Sequence, residues 1–258
     1  MGKVFAREAG VGQPVVLLHG LFGSGGNLGA LSRALREHYR VFSVDLPGHG
    51  ASAVPSPFDL AGMAASVIRW MDEQDIDKAS FVGHSLGGKV AMEVALTAPG
   101  RVAALVVADI APVDYPPGHD GVFAGLFAVD AADCTDRAQA QALLAEHVDD
   151  PSVVQFLLSD LRRDNQGILR WRLALQAIHM AYPQLSRAPA GGRSYTGPVL
   201  FIKGGNSSYL QESQRPAIEA LFPAAQVRVL PDTGHWLHVE KPDAFNGVVQ
   251  RFLTEQGL

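Results

Sequence analysis

The sequence predicts an α/β fold, a mostly parallel central sheet covered by helices on both faces, and three observations carry that prediction. Short, continuous, β-branched apolar runs recur along the chain, as expected of strands covered on both sides rather than one. Segments with helical spacing lie between most of them, and strand alternating with helix implies parallel pairing through right-handed crossovers. The alternation stops between about Ala111 and Gly197, where helix-like segments follow one another with no strand between them.

In chain order the strands are predicted at "PVVLLHG" (14–20), "YRVFSVDLPG" (39–48), "ASFVGHS" (79–85), "VAALVVADIAP" (102–112), "PVLFIKGG" (198–205) and "AQVRVLPDTGH" (225–235). Each is a run of Val, Leu, Ile or Phe stopped by Gly, Pro or Asp, which punctuate strands. The helices fall at "NLGALSRALREH" (27–38), "PFDLAGMAASVIRWMDEQ" (57–74), "GGKVAMEVALTAP" (87–99), "QRPAIEALF" (214–222) and "DAFNGVVQRFLTEQ" (243–256). The interruption contains "CTDRAQAQALLAEHV", "PSVVQFLLSDLRRD" and "GILRWRLALQAIHMAY", bracketed by the Pro/Gly-rich "APVDYPPGHDG" and "APAGGRSYTGP". It reads as a helical insertion between two sheet strands.

Bulk properties narrow the function. A chain of 258 residues, 47% hydrophobic and 18% charged, is large enough for one substantial core and far from the composition of a disordered protein. With 21 basic against 26 acidic residues, and no basic run interleaved with aromatics, a nucleic-acid partner is not expected. A single cysteine, Cys134, rules out an internal disulfide framework and suits a reducing, cytoplasmic compartment. No apolar run approaches the roughly 20 residues that span a bilayer, so no membrane partner is expected.

Two readings compete for the first strand-turn-helix, "VVLLHGLFGSGGNLGALSRAL". Gly20, Gly23 and Gly25, with Asp45 at the end of the next strand, outline a dinucleotide-binding unit, but the glycines miss the G-x-G-x-x-G order. In the other reading Gly20 lets the chain turn sharply at the carboxyl edge of the sheet, leaving the amide of Leu21 facing a cleft lined by Phe22. His19 then belongs beneath the turn as a hydrogen-bonded structural residue.

"FVGHSLGGKV" decides between them. It contains G-x-S-x-G from Gly83 to Gly87, preceded by a strand and followed by a helix, which is the context this motif requires. Ser85 on a strained turn becomes the candidate nucleophile, with His84 shaping the turn. The amide of Leu86, at a helix N-terminus, becomes an oxyanion donor beside that of Leu21. A serine hydroxyl needs a base, and of nine histidines His235 directly follows the last strand, at the same sheet edge as Ser85. Serine first and histidine last is the chain order of the α/β-hydrolase fold. His238, His38, His119, His147 and His179 suit surface or packing roles.

The third group is less obvious. Asn206, Ser207 and Ser208 occupy the loop after "PVLFIKG" where a carboxylate is wanted, and none carries charge. One strand earlier, Asp109 ends "VVAD" at the same edge, within reach of His235. The competing reading makes Asp109 a cap of the insertion's first turn. Asp232 is too near His235 in sequence, and Asp45 and Glu240 look structural. Ser207 joins the cluster as a neutral hydrogen-bonding member.

The blocks "HGLFGSGGNLG", "VDLPGHG", "GHSLGGKVAM", "ADIAPVDY", "GGNSSY" and "GHWLHVEKPDAF", spread from about residue 15 to 250, together resemble the YbfF-type esterases of the α/β-hydrolase superfamily. The resemblance implies an α/β-hydrolase core (1–110 and 198–258) with a helical cap (111–197) inserted after the sixth strand of the fold. It implies the same acid, Asp109 of the "DIAP" block, with Ser207 of the "GGNS" block joining nucleophile and histidine. The expectation is a serine esterase acting on small to medium acyl esters without cofactor or metal. The insertion carries no comparably sharp motif, so substrate preference does not transfer. Phe123, Phe127, Phe156 and Trp171 are expected to wall an acyl pocket. The alternatives are a thioesterase, a lyase or carbon-carbon hydrolase using Arg162, Arg163, Arg170 or Arg172 to bind a charged substrate, or a non-catalytic ligand receptor on the same fold.

Overall fold

In the computed structural model, which describes residues 3–190 and 193–257, the chain opens with β1 (Phe5–Ala9) and β2 (Gln13–Leu18), then α1 (Gly29–Leu35) and β3 (Tyr39–Asp45). It continues through α2 (Leu60–Glu73), β4 (Ala79–His84), α3 (Leu86–Thr97) and β5 (Val102–Ala108). Next come α4 (Asp120–Ala131), α5 (Arg137–Ala145), α6 (Pro151–Leu158), β6 (Leu161–Arg163), β7 (Leu169–Trp171) and α7 (Leu175–Leu185). The sheet resumes with β8 (Val199–Gly204), α8 (Arg215–Leu221) and β9 (Ala225–Leu230), and the chain closes with α9 (Leu237–Glu240) and α10 (Pro242–Glu255).

Seven strands pair in the order β1-β3-β2-β4-β5-β8-β9, all parallel except β1, which runs antiparallel to β3. The apolar runs explain the burial: Val15 to Leu18, Phe81 and Val82, Leu105 to Ala108 and Phe201 and Ile202 are 1% exposed or less. Alternate side chains of these strands face opposite layers. Val16, Phe42, Phe81, Leu105 and Phe201 pack with α2 and α3, whereas Val15, Val41, Val82, Val106 and Ile202 pack with α1 and α10. Asp59 starts α2 by accepting the Gly62 amide at 2.7 Å, the expected N-cap contact.

Two features differ from the sequence reading. β1 was not foreseen, because "FAREA" is a half-exposed edge strand with no apolar run. The stretch between β5 and β8 is not purely helical: β6 and β7 form a two-stranded antiparallel hairpin around the turn at Gly167. Counted along this chain, the insertion follows the fifth strand, β5, and the sheet resumes at β8.

The inserted stretch has its own apolar cluster, including Phe123, Leu126, Leu144, Leu157 and Ile178, with Phe22 of the β2–α1 turn packed into it. Cys134 is fully buried there. Backbone bonds tie it to the β3–α2 loop: Ala174 N–H donates to Gly48 O at 2.8 Å, and Leu173 bridges His49. The second tie is Lys89 of α3, buried, whose ammonium donates to the carbonyls of Val113, Ser186 and Arg187 at 2.6–3.0 Å. One lysine thus grips both the departing and the returning ends of the insertion. Among the described residues, no helix is long and apolar enough to cross a membrane.

Candidate active site

Ser85 sits between β4 and α3 at φ 52° and ψ −118°, a region that only a strongly determined turn holds for a residue with a Cβ. The two flanking glycines make the turn possible. A Cβ on Gly83 would lie 2.3 Å from Gly87 O, and one on Gly87 would lie 2.2 Å from Leu18 O. The Ser85 amide is fixed by Ala108 O at 3.0 Å, on the neighbouring strand. Leu86 opens α3, so its amide is among those a helix leaves without an internal partner, at the positive end of the dipole.

At the end of β2 the chain turns through His19, Gly20, Leu21 and Phe22, with Phe22 at φ 62°. His19 holds this turn from below. Its Nδ1–H donates to Gly20 O at 2.7 Å and its Nε2 accepts from Leu46 N–H at 2.9 Å, which fixes a neutral tautomer. Burial lowers its pKa to about 4, against the opposing pull of the Gly20 carbonyl. Asp45 is occupied by the amides of Gly25 and Ala51 at 2.7 and 2.9 Å.

His235 follows β9, and its Nδ1 lies 2.8 Å from Asp109 Oδ2. Asp109 is fully buried at the end of β5 and, like Ser85, has a positive φ, 52°. Its carboxylate also accepts the Gly204 amide at 2.9 Å on Oδ1 and the Ser207 hydroxyl on Oδ2. Ser207 Oγ in turn accepts the Tyr209 amide at 3.1 Å. Two rings touch the imidazole: Tyr209 stacks on it at 3.8 Å and 19°, and His84 tilts against it at 4.8 Å. His84 Nε2 lies 2.8 Å from the His235 carbonyl and donates to it, while burial and the neighbouring imidazoles of His238 and His235 hold the His84 pKa well below the ordinary value.

The other candidate acids are occupied elsewhere. Asn206 is exposed, with its amide on Thr233 O at 2.9 Å. The exposed Asp232 faces Lys241 at 3.5 Å, and Glu240 accepts the Gly234 amide at 2.8 Å. Leu21, Phe22, Ser85, Leu86 and His235 all line one cavity of about 740 Å³, roofed by residues from the inserted stretch such as Val122, Phe156 and Leu157. No group of side chains fit to hold a metal ion occurs among the described residues.

Comparison with known proteins agrees with this geometry. The family model of the alpha/beta hydrolase fold matches residues 13–242. Esterase YbfF of Escherichia coli is 40% identical over 246 residues, covering 94% of this chain and 93% of that protein. The sn-1-specific diacylglycerol lipase ABHD11 of Mus musculus is 38% identical, covering 93% and 80%. A solved structure of a marine microorganism esterase superposes with a TM-score of 0.93 at 30% identity, covering 97% of this chain and 99% of the other. The chain belongs to the α/β-hydrolase family. Within it, it is a YbfF-type esterase, a carboxylic-ester hydrolase.

Several expectations for this α/β-hydrolase need correction. Of the four aromatic residues expected to wall the pocket, only Phe156 lines it; Phe123 is buried in the insertion's own cluster, and Trp171 donates its indole N–H to Leu126 O. The four arginines do not face the cavity either. Arg170 pairs with Asp133 and Asp164, Arg172 with Asp45, and Arg162 and Arg163 donate to nearby carbonyls. Of the two roles expected of His238, surface or packing, the structure shows packing: it is 6% exposed, with its ring 4.4 Å from that of His84, and burial lowers its pKa to about 4. The residue that sequence reasoning missed is Tyr209. It ends the "GGNSSY" block, where its two neighbouring serines drew attention to hydroxyls rather than to a ring.

Proposed function

We propose that this α/β-hydrolase is a serine esterase that hydrolyses neutral carboxylic esters with small to medium acyl groups through an acyl-enzyme. The reading rests on the contact of 2.8 Å between Asp109 and His235, beside a serine held at positive φ in the same cavity. With Nδ1 engaged by Asp109, the ring nitrogen left for chemistry is Nε2. It takes the proton of Ser85 as Oγ attacks the ester carbonyl, and the amides of Leu21 and Leu86 receive the oxyanion. Nε2–H then protonates the leaving alkoxide. Water repeats the sequence on the acyl-enzyme and returns Ser85. Asp109 holds the imidazole in the tautomer these steps need, and Ser207 fixes the carboxylate. No cofactor or metal enters any step, and a cytoplasmic setting completes the proposal.

The preference for neutral substrates follows from charge. The three donors of Lys89 go to main-chain carbonyls, the carboxylates of Asp114 and Asp150 line the cavity, and no arginine is among its described lining residues. An anionic acid or alcohol moiety meets only Lys89 as a cation there, and its three donors are already taken. That argues against a lyase or carbon-carbon hydrolase of charged substrates. The inserted stretch, residues 111–197, acts in this reading as the cap that closes the acyl site over the sheet edge.

A p-nitrophenyl ester series from acetyl to dodecanoyl, with a hemisuccinate ester and an acyl thioester alongside, tests the proposal. The expected result is hydrolysis with an optimum at short to medium chains, slow turnover of the hemisuccinate, and loss of activity in Ser85→Ala. Activity surviving in Ser85→Ala, or a preference for the hemisuccinate, refutes it.

A further inference from the structure

Tyr209 is bound to the candidate site at three points that no sequence motif connects. Its ring lies flat on the His235 imidazole, centroids 3.8 Å apart and planes 19° from parallel. Its amide donates to Ser207 Oγ at 3.1 Å, and that hydroxyl donates to the carboxylate bound to the same imidazole. Its carbonyl accepts the hydroxyl of Tyr115, which itself accepts the Ala111 amide at 2.9 Å. Tyr115 lies in the segment that leaves β5 for the insertion, with its ring 4.8 Å beneath the Lys89 ammonium. The connection therefore runs from the joint of the insertion, through Tyr115 and Tyr209, to the His235 ring and, by way of Ser207, to the Asp109 carboxylate bound to it.

We infer that Tyr209 is a positioning residue of the esterase reaction: its ring fixes the His235 imidazole and favours the imidazolium formed as Ser85 is deprotonated, and Tyr115 holds Tyr209 in that place. The inference rests on the proposed role of His235 as base. Two physical effects support it. Tyr209 stacked flat on the imidazole and His84 tilted against it at 4.8 Å resist rocking of the ring out of its plane, and the Asp109 bond resists rotation within it. In addition, the face of an aromatic ring attracts the imidazolium more strongly than the neutral imidazole it also stacks on, so the contact favours the charged state formed in the transition state over the resting one. The tyrosine hydroxyl has no part in either effect.

Three variants test this, read by kcat and KM on p-nitrophenyl butyrate from pH 5 to 9, beside Ser85→Ala. Tyr209→Leu keeps an apolar side chain of similar reach but removes the ring. It is expected to lose roughly tenfold in kcat while KM changes by less than about threefold, and the acidic limb of its kcat/KM profile moves down by roughly half a pH unit, the scale of an exposed cation–π contact. Tyr209→Phe keeps the ring and is expected to restore most of that loss and the position of the limb. Tyr115→Phe deletes only the hydroxyl that holds the Tyr209 carbonyl and is expected to fall between the two. A Tyr209→Leu enzyme with wild-type kcat and limb, or a Tyr209→Phe enzyme as impaired as Tyr209→Leu, overturns the inference while the esterase reading stands. Turnover surviving in Ser85→Ala overturns both.

Discussion

On the proposed mechanism, replacing Asp109 by Asn, a change of one atom, should nearly abolish hydrolysis. The carboxylate is fully buried and accepts three hydrogen bonds, from Gly204 N–H on Oδ1 and from His235 and Ser207 on Oδ2. The Gly204 amide can only donate, so the amide oxygen of an asparagine must face it. That places the –NH2 group against His235 Nδ1 and Ser207 Oγ, where acceptors were needed. Nδ1 must then accept, which moves the ring proton to Nε2, the nitrogen that has to take the proton of Ser85. The wrong tautomer and the loss of charge behind the imidazolium together cost on the order of 10⁴ in kcat, or about 5 kcal/mol. Initial rates on p-nitrophenyl butyrate at pH 7.5 measure the loss, with circular dichroism and a melting curve to show that the variant folds. Asn206→Ala, in the loop after β8, serves as the comparison and should stay within about twofold of the wild type, since its side chain is exposed. A folded Asp109→Asn enzyme retaining more than a tenth of the activity, or an equal loss in Asn206→Ala, refutes the assignment of the acid.

Three further outcomes are expected. Ser207→Ala removes a buried donor to Asp109 but leaves the contact with His235, so kcat should fall by roughly tenfold, the scale of one hydrogen bond to a charged group, with a melting temperature a few degrees lower. Phe156→Ala opens the cavity wall where this ring meets Trp236, and the optimum of the ester series should move to longer acyl chains; an unchanged optimum places the acyl group elsewhere. Acid should unfold the chain early. Burial lowers the pKa of His19 and His238 to about 4 and that of His49 to about 3, with His84 also well below 6.5, so the unfolded chain binds more protons below that value and stability falls as the pH drops from 6.5 toward 4. Each unit of depression is worth about 1.4 kcal/mol, and four such residues compare with the whole stability of a domain. Far-ultraviolet circular dichroism should show cooperative loss inside that window; a flat signal down to pH 4 contradicts the reading.

The parts of the molecule legible in the sequence are those where one residue type is sterically required. Gly83 and Gly87 have no room for a Cβ, so the motif around Ser85 is fixed by contact and can be recognised at sight. The central strands are equally plain, because two covered faces demand unbroken apolar runs. Asp109 was harder to choose, since an aspartate at a strand end has ordinary capping uses, and only the fold brings residue 109 to residue 235. β1 and the β6–β7 hairpin lacked a signal because short, half-exposed strands make no such demand. The arginines of the insertion misled for a related reason: charge in sequence gives no direction, and Arg170 and Arg172 are turned toward aspartates outside the cavity.

The grip of Lys89 on three carbonyls also constrains redesign. A chimera that receives the insertion of another relative inherits the lysine with the α3 helix, and the graft has to return main-chain oxygens to the places now held by Val113, Ser186 and Arg187. A donor segment spliced even a residue out of register would bury a bare ammonium one helical turn from Ser85. Exchanges of specificity are therefore best cut outside these two joints, so that transplanted chain and lysine arrive already matched.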